Sequence, residues 1–233
     1  KSICRRARRS ALIAGVLLKV PDYPPQAAHQ RRSLRAVLTT PGVRPVLAVV
    51  ISWMLAHNIL YTFIAPFVAP AGLGSQVDRV LLVFGIAALA GIWLTAKRVE
   101  LSLRTTVLAS LAALAAVCLA FALAGSGPLV IYVGVAVWGL SFGGAATLLQ
   151  TALADAAGDG ADVALSLNVV AWNSAIAGSG VVGGVMLDKW GAGSFPWTML
   201  LLTGLAFAIV WCARAHGFRP GPRASRHAKQ PLG

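Results

Sequence analysis

The sequence predicts an all-α polytopic membrane protein whose six transmembrane helices form two inverted three-helix repeats. Three observations predict it. Hydrophobic residues are 58% of the 233 and charged residues only 12%, where a soluble domain carries roughly 25% charged. Mean hydropathy is accordingly +0.76. The apolar residues fall in long blocks separated by short polar stretches, each block near the ~20 residues needed to cross ~30 Å of hydrocarbon as a helix. The basic residues gather at the two ends, ten in residues 1–45 and five in 214–229. The net charge of +13 therefore reads as membrane topology, because Lys and Arg resist translocation. It does not read as a nucleic-acid footprint, and attraction to anionic lipid headgroups is a by-product.

Residues 1–44 are expected to be a cytoplasmic basic segment. The chain begins with Lys1, and its first apolar run, 11–18, is too short to span. No A-x-A cleavage site follows it, so it reads as the remnant of a preceding helix rather than a signal peptide. On that reading the chain is a fragment, with a short helix around 9–19 and poor order elsewhere in 1–32 and 219–233.

The bundle is expected over 45–213. Six blocks can cross: 45–69, 80–96, 105–124, 129–154, 163–187 and 197–213. Helices are required, since an open strand leaves its backbone groups unpaired in lipid. The connections AGLGSQVDR, KRVELSLR, GSGP, DAAGDGAD and DKWGAGSFP are short, which makes neighbouring helices antiparallel. With the basic start inside, KRVELSLR is also inside, and the outer loops carry only Arg79 and Lys189. DAAGDGAD, with Asp155, Asp159 and Asp162, is an inner loop without a basic residue; acidic residues weigh little in topology. Two triplets, 45–125 and 129–213, each cross an odd number of times, which is the arithmetic of an inverted repeat. Residues 214–233 form a basic cytoplasmic tail, so both termini are expected in the cytoplasm of a cell inner membrane.

The polar exceptions inside the apolar blocks are the candidate site. In ISWMLAHNILYTFIAPF, residues 51–67, a helical face carries His57, Asn58 and Tyr61, with Trp53 and Phe63 flanking. An imidazole facing lipid is costly, so this stripe should face protein or a water-filled cavity. Three readings stay open for it: interhelical packing, contact with a solute, and proton relay. The fourth block offers Thr147 and Gln150, and the fifth Trp172 and Asn173. Amides, hydroxyls and rings suit a neutral or weakly charged organic molecule. The apolar blocks contain no Asp or Glu, and acids come near them only at helix ends, as Asp78, Asp155 and Asp188.

Gly139 and Gly143 stand four apart, as do Gly180 and Gly184, a spacing that lets helices approach closely. Such contacts serve packing or a surface on which helices rock. Pro66 and Pro70 read as a stop of the first span or as a gate. Cys4, Cys118 and Cys212 have no metal-ligand spacing and imply no disulfide framework. No H-E-x-x-H, G-x-S-x-G or phosphate-binding Gly-Lys-Ser/Thr element occurs, so neither an enzyme nor a cofactor is expected.

Residues 33–218 resemble the C-terminal half of a major facilitator superfamily transporter, closest to bacterial drug or sugar efflux permeases of the proton-antiporter type. SLRAVLTTPGVRPVLAVV looks like the approach to the family's seventh helix, and GSGVVGGVMLDKWGAGSFPW like its eleventh helix and the turn into the twelfth. GIWLTAKRVELSLRTTV falls at the family's loop between helices eight and nine; it keeps Gly91, Glu100 and Arg104 and lacks the pattern's second glycine. The resemblance implies half of a twelve-helix fold and transport by alternating access. It also implies that the helices of His57 and Gln150 line the cavity, that Gly91, Glu100 and Arg104 belong to a gating loop, and that an N-terminal six-helix half is the partner. The expected function is proton-coupled efflux of a small organic solute. The alternative is a non-transporting six-helix scaffold, or a half-transporter that needs a partner half.

Overall fold

A computed structural model of the chain describes residues 32–124 and 127–223; the expected helix around 9–19 and the remnant at 11–18 lie outside the described residues. All regular structure among the described residues is helical: α1 (Leu34–Thr39), α2 (Val43–Thr62), α3 (Ile64–Val68), α4 (Val77–Leu123), α5 (Pro128–Phe142), α6 (Ala145–Ala157), α7 (Ala161–Trp190) and α8 (Phe195–Cys212), with single 3-10 turns between several of them.

Local chemistry sets the boundaries. Ser33 caps α1 by accepting from the Ala36 N–H at 3.3 Å. Gly42 precedes α2 with φ of 98°, a conformation that costs glycine least, and the His216 carbonyl packs where a side chain would stand. α2 ends at Thr62 because Pro66 lacks the N–H that would bond the Thr62 carbonyl and its ring would clash there. The chain bends at Phe63 (φ −109°, ψ 29°) before α3.

The KRVELSLR stretch is not the loop its polarity implied. Helix α4 runs through it and is interrupted only at Ser102 (φ −164°, ψ 83°). Residues 92–101 contain neither Gly nor Pro, so nothing breaks the helix before Ser102. The Ser102 hydroxyl then bonds Thr105 at 2.7 Å, and the Thr106 hydroxyl bonds the Ser102 carbonyl at 2.8 Å. Side-chain bonds of this kind offer the backbone an alternative to the helical ladder. A second break falls at Gly143–Gly144, between α5 and α6.

Four helical stretches are long and apolar enough to cross a membrane: Val43–Thr62, Gly74–Leu123, Pro128–Trp190 and Ala192–Cys212. They are not equivalent. In α2, 72% of the apolar window is buried, against 33% for Gly74–Leu123 and for Ala192–Cys212. Helix α2 is therefore central, packed on α6, α7 and α8, while α4 packs chiefly on α5 and α8. The exposed apolar belt falls on the outer helices, for example Leu82, Ile86 and Leu89 of α4 and Leu201 and Leu205 of α8.

Both ends of the helical body meet at one end of the bundle. Arg223 donates two bonds of 2.8 Å to the Asp155 carboxylate and one of 2.5 Å to Glu100, and its backbone N–H bonds the Glu100 carbonyl at 3.0 Å. The Asp155 hydrogen bond raises the Arg223 pKa above its ordinary value, and the Glu100 charge adds to it. Arg32 pairs with Asp159 at 3.3 Å. The acidic DAAGDGAD stretch, which has no basic residue of its own, thus takes cations from both flanking basic segments. Poor order expected from residue 219 onward does not describe 219–223, which this pairing holds against the bundle.

Candidate functional site

Helix α2 carries the site because its centre is buried on nearly every side. Trp53, His57 and Asn58 are buried, at 0%, 6% and 8% exposure, and Tyr61, one turn further on, is 44% exposed. The stripe thus runs from the core to an open edge. His57 Nδ1 accepts a 3.1 Å hydrogen bond from the Trp138 indole N–H of α5. The other ring nitrogen then carries the proton in the neutral imidazole.

Rings close around the histidine. Phe142 stacks on it with centroids 3.4 Å apart and planes 2° apart, and Tyr61 stacks at 5.4 Å. Phe84 of α4 lies at 5.7 Å from His57 and 4.5 Å from Trp138. Trp53 meets Phe142 edge-on at 6.3 Å. The cluster therefore joins α2, α4 and α5. Phe84, Trp138 and Phe142 were not singled out as site residues from sequence. The signal was present: Trp138 and Phe142 stand four apart, one above the other on a helix face.

The remaining polar candidates are arranged differently. Asn58 donates to the Met54 carbonyl of its own helix at 2.8 Å, and Asn173 to Val169 at 2.8 Å. Thr147, Gln150 and Asn173 are exposed, and Trp172 is half-buried. The structure does not bring them into the ring cluster. They lie on α6 and α7, beside α2, and α7 adds exposed Ser166 and Ser174. Two buried groups in this part of the bundle have no hydrogen-bond partner among the described residues, the Trp53 indole N–H and the Asn168 side-chain oxygen. Such groups are usually paired.

Glu100 and Arg104 do not pair with each other. Glu100 holds Arg223, while Arg104 donates to the Val210 and Trp211 carbonyls at 2.5 and 2.9 Å and to Phe218 at 3.3 Å. Arg104 thereby satisfies carbonyls in the last turn of α8, where a cation also complements the helix dipole. Gly91 sits against the Leu140 backbone of α5, and Gly139 and Gly143 against the Phe84 and Ala88 carbonyls of α4. Gly180 faces open space, and it is Gly183 that admits the Phe63 ring; Gly184 touches the same ring at ordinary distance. Among the described residues no group of His, Cys, Asp and Glu is placed to hold a metal.

A bundle of long apolar helices with a polar stripe inside it is a membrane-protein architecture. The sequence pattern of the Major Facilitator Superfamily matches residues 10–179, so the chain belongs to that family. The purine ribonucleoside efflux pump NepI of Escherichia coli K12 is 27% identical over 212 residues, covering 86% of this chain and 54% of the pump. The pump of the same name from Shigella sonnei is 28% identical over 213 residues, with the same coverage. That of Escherichia coli O157:H7 is 28% identical over 199 residues, 82% of this chain and 49% of the pump. The chain thus spans about half the length of these curated relatives. No solved structure matches it.

Proposed function

We propose that this chain is one six-helix half of a secondary transporter that exports a small organic solute from the cell by alternating access, coupled to protons. The observation that carries the reading is family membership over residues 10–179. Taking the bend at Ser102 as a turn between spans, and 128–157 as one span with a break, gives six crossings. Helices 77–101 and 103–123 then each meet the ~20-residue requirement. The first three crossings and the last three enter in opposite senses, as inverted repeats do. The end that gathers Arg32, Arg98, Arg104 and Arg223 is cytoplasmic by the positive-inside rule, in a cell inner membrane. The partner is a second six-helix half.

The solute path lies along the α2, α6 and α7 side. Exposed polar side chains in mid-span should not face lipid, and Gln150, Thr147 and Asn173 are exposed there, whereas α4 and α8 expose Leu, Ile and Trp. Tyr61 and Trp172 would stack a flat ring, and Asn173, Gln150 and Thr147 would bond its polar edge. A purine ribonucleoside, the class named for the relatives, has both features. His57, Asn58 and Trp53 are buried behind this wall, and His57 reaches the path through Tyr61, which stacks on it. Protonation of His57 Nδ1 would remove the acceptor for Trp138 and so uncouple α2 from α5, a route by which a proton could alter helix contacts. Gly91, Glu100 and Arg104 hold the cytoplasmic end, Gly139 and Gly143 let α5 slide closely on α4, and Gly184 lies against the Phe63 ring, while Gly180 meets nothing within this half.

The test is efflux of a radiolabelled purine ribonucleoside from cells expressing the chain joined to the other half. His57→Ala should lower the rate at least tenfold at unchanged membrane abundance. Equal efflux by wild type and variant across several solutes would remove His57 from the path. No efflux by either would sink the transport reading.

A further inference from the structure

A groove of about 240 Å³ lies at the Ser102 bend, lined by both limbs of α4 and by α5. Its polar lining includes Arg98, Thr95, Thr105, Ser110 and Ser141, and its apolar lining includes the exposed Leu94, Leu101 and Leu140. A groove that mixes a cation, hydroxyls and exposed leucines suits the level at which a bilayer changes from headgroup to hydrocarbon.

The charges of this stretch are committed elsewhere, with one exception. The Lys97 ammonium sits 3.6 Å over the Trp93 ring. Glu100 holds Arg223, and Arg104 caps α8. Arg98 has no ion pair among the described residues, although it lines the groove. Thr105 accepts from Ser102 and keeps its own hydroxyl proton to donate, and Ser110 makes no hydrogen bond among the described residues. The groove therefore offers one unopposed guanidinium and several donors, and no carboxylate lines it. A planar guanidinium matches phosphate oxygens bidentately, phosphate is the anion a lipid headgroup supplies, and the exposed leucines suit acyl chains.

We propose that this groove binds an anionic phospholipid, its phosphate on Arg98 with Thr105 beside it and its chains along Leu94, Leu101 and Leu140. The volume holds a headgroup and not a whole lipid, which leaves the chains in the bilayer. A lipid seated there would pack against both limbs of α4 at the Ser102 turn.

The test is native mass spectrometry of the purified full chain in detergent, titrated with phosphatidylglycerol or with phosphatidylcholine of the same acyl chains. Phosphatidylglycerol should be retained preferentially. Arg98→Gln should weaken its retention about fivefold, the effect of removing one interfacial cation, while Arg98→Lys keeps most of it. Ala109→Phe, which fills the groove from its open side without changing charge, should weaken it as much. Lys189→Gln, a cation at the other end of the bundle, should change nothing. Equal retention of the two lipids, or no loss in Arg98→Gln and Ala109→Phe, would overturn the proposal. Displacement of the lipid by millimolar inorganic phosphate would overturn it too, by making the groove a soluble-anion site.

Discussion

The hydrogen bond between His57 and Trp138 shows how a single pair can tie two helices inside an apolar bundle. Interhelical polar bonds in membranes contribute about 0.6 kcal/mol on average and seldom above about 1.7. Replacing Trp138 by Phe keeps a ring against Phe84 and removes the donor. The variant should lose about 1 kcal/mol in detergent unfolding and stay helical by circular dichroism; a loss above about 4 kcal/mol would mean that the indole body, not its N–H, carries the contact. The sequence singled out His57, Tyr61 and Trp53, because an imidazole in an apolar run is conspicuous. It did not single out Phe84, Trp138 and Phe142, because rings in a membrane helix are ordinary and only three-dimensional packing distinguishes these. Nor could it foresee that Asn58 spends its amide on the Met54 carbonyl, since self-bonding along a helix leaves no trace in sequence.

At the scale of the helix, glycine position decides packing. Gly139 and Gly143 of α5 lie against carbonyls of α4, so a side chain there must displace backbone. Gly180 of α7 meets nothing within 4 Å. Gly139→Leu should therefore abolish the monodisperse folded peak in size-exclusion chromatography. Gly180→Ala should be neutral or stabilising by up to about 1 kcal/mol, the helix-propensity difference. The reverse ranking would contradict the assigned contact between α4 and α5. Sequence spacing treated the two pairs alike, since a four-residue repeat states which residues share a face and not what that face meets. Long apolar helices were legible from length and hydropathy, but their divisions were not: six blocks were expected, and four long apolar stretches are found. Polarity marked a loop over KRVELSLR, while the helix-forming residues within it keep the backbone helical up to a single serine.

At the scale of the whole molecule, two surfaces of different chemistry emerge from one apolar chain. The outer helices α4 and α8 expose leucine and isoleucine, and α6 and α7 expose amides and hydroxyls, on α7 together with valines and Ile176. The family explains why a bundle would keep a polar side: two halves enclose a path between them. Basic ends announced the common end of the bundle in the sequence. The long-range partners Arg223 with Asp155 and Glu100, and Arg32 with Asp159, could not be read there, because pairing across 68 to 127 residues depends on how the spans fold back.

The central claim is that the α6 and α7 polar face borders a water-filled solute path. It is tested most directly by labelling with a membrane-impermeant maleimide in the assembled transporter, after Cys4, Cys118 and Cys212 are replaced by Ser. Asn173→Cys and Gln150→Cys should react from the aqueous phase and be protected by a purine ribonucleoside, while Leu89→Cys and Leu201→Cys stay unlabelled. Silent cysteines at 150 and 173, or labelling equal to that at 89 and 201, would contradict the account.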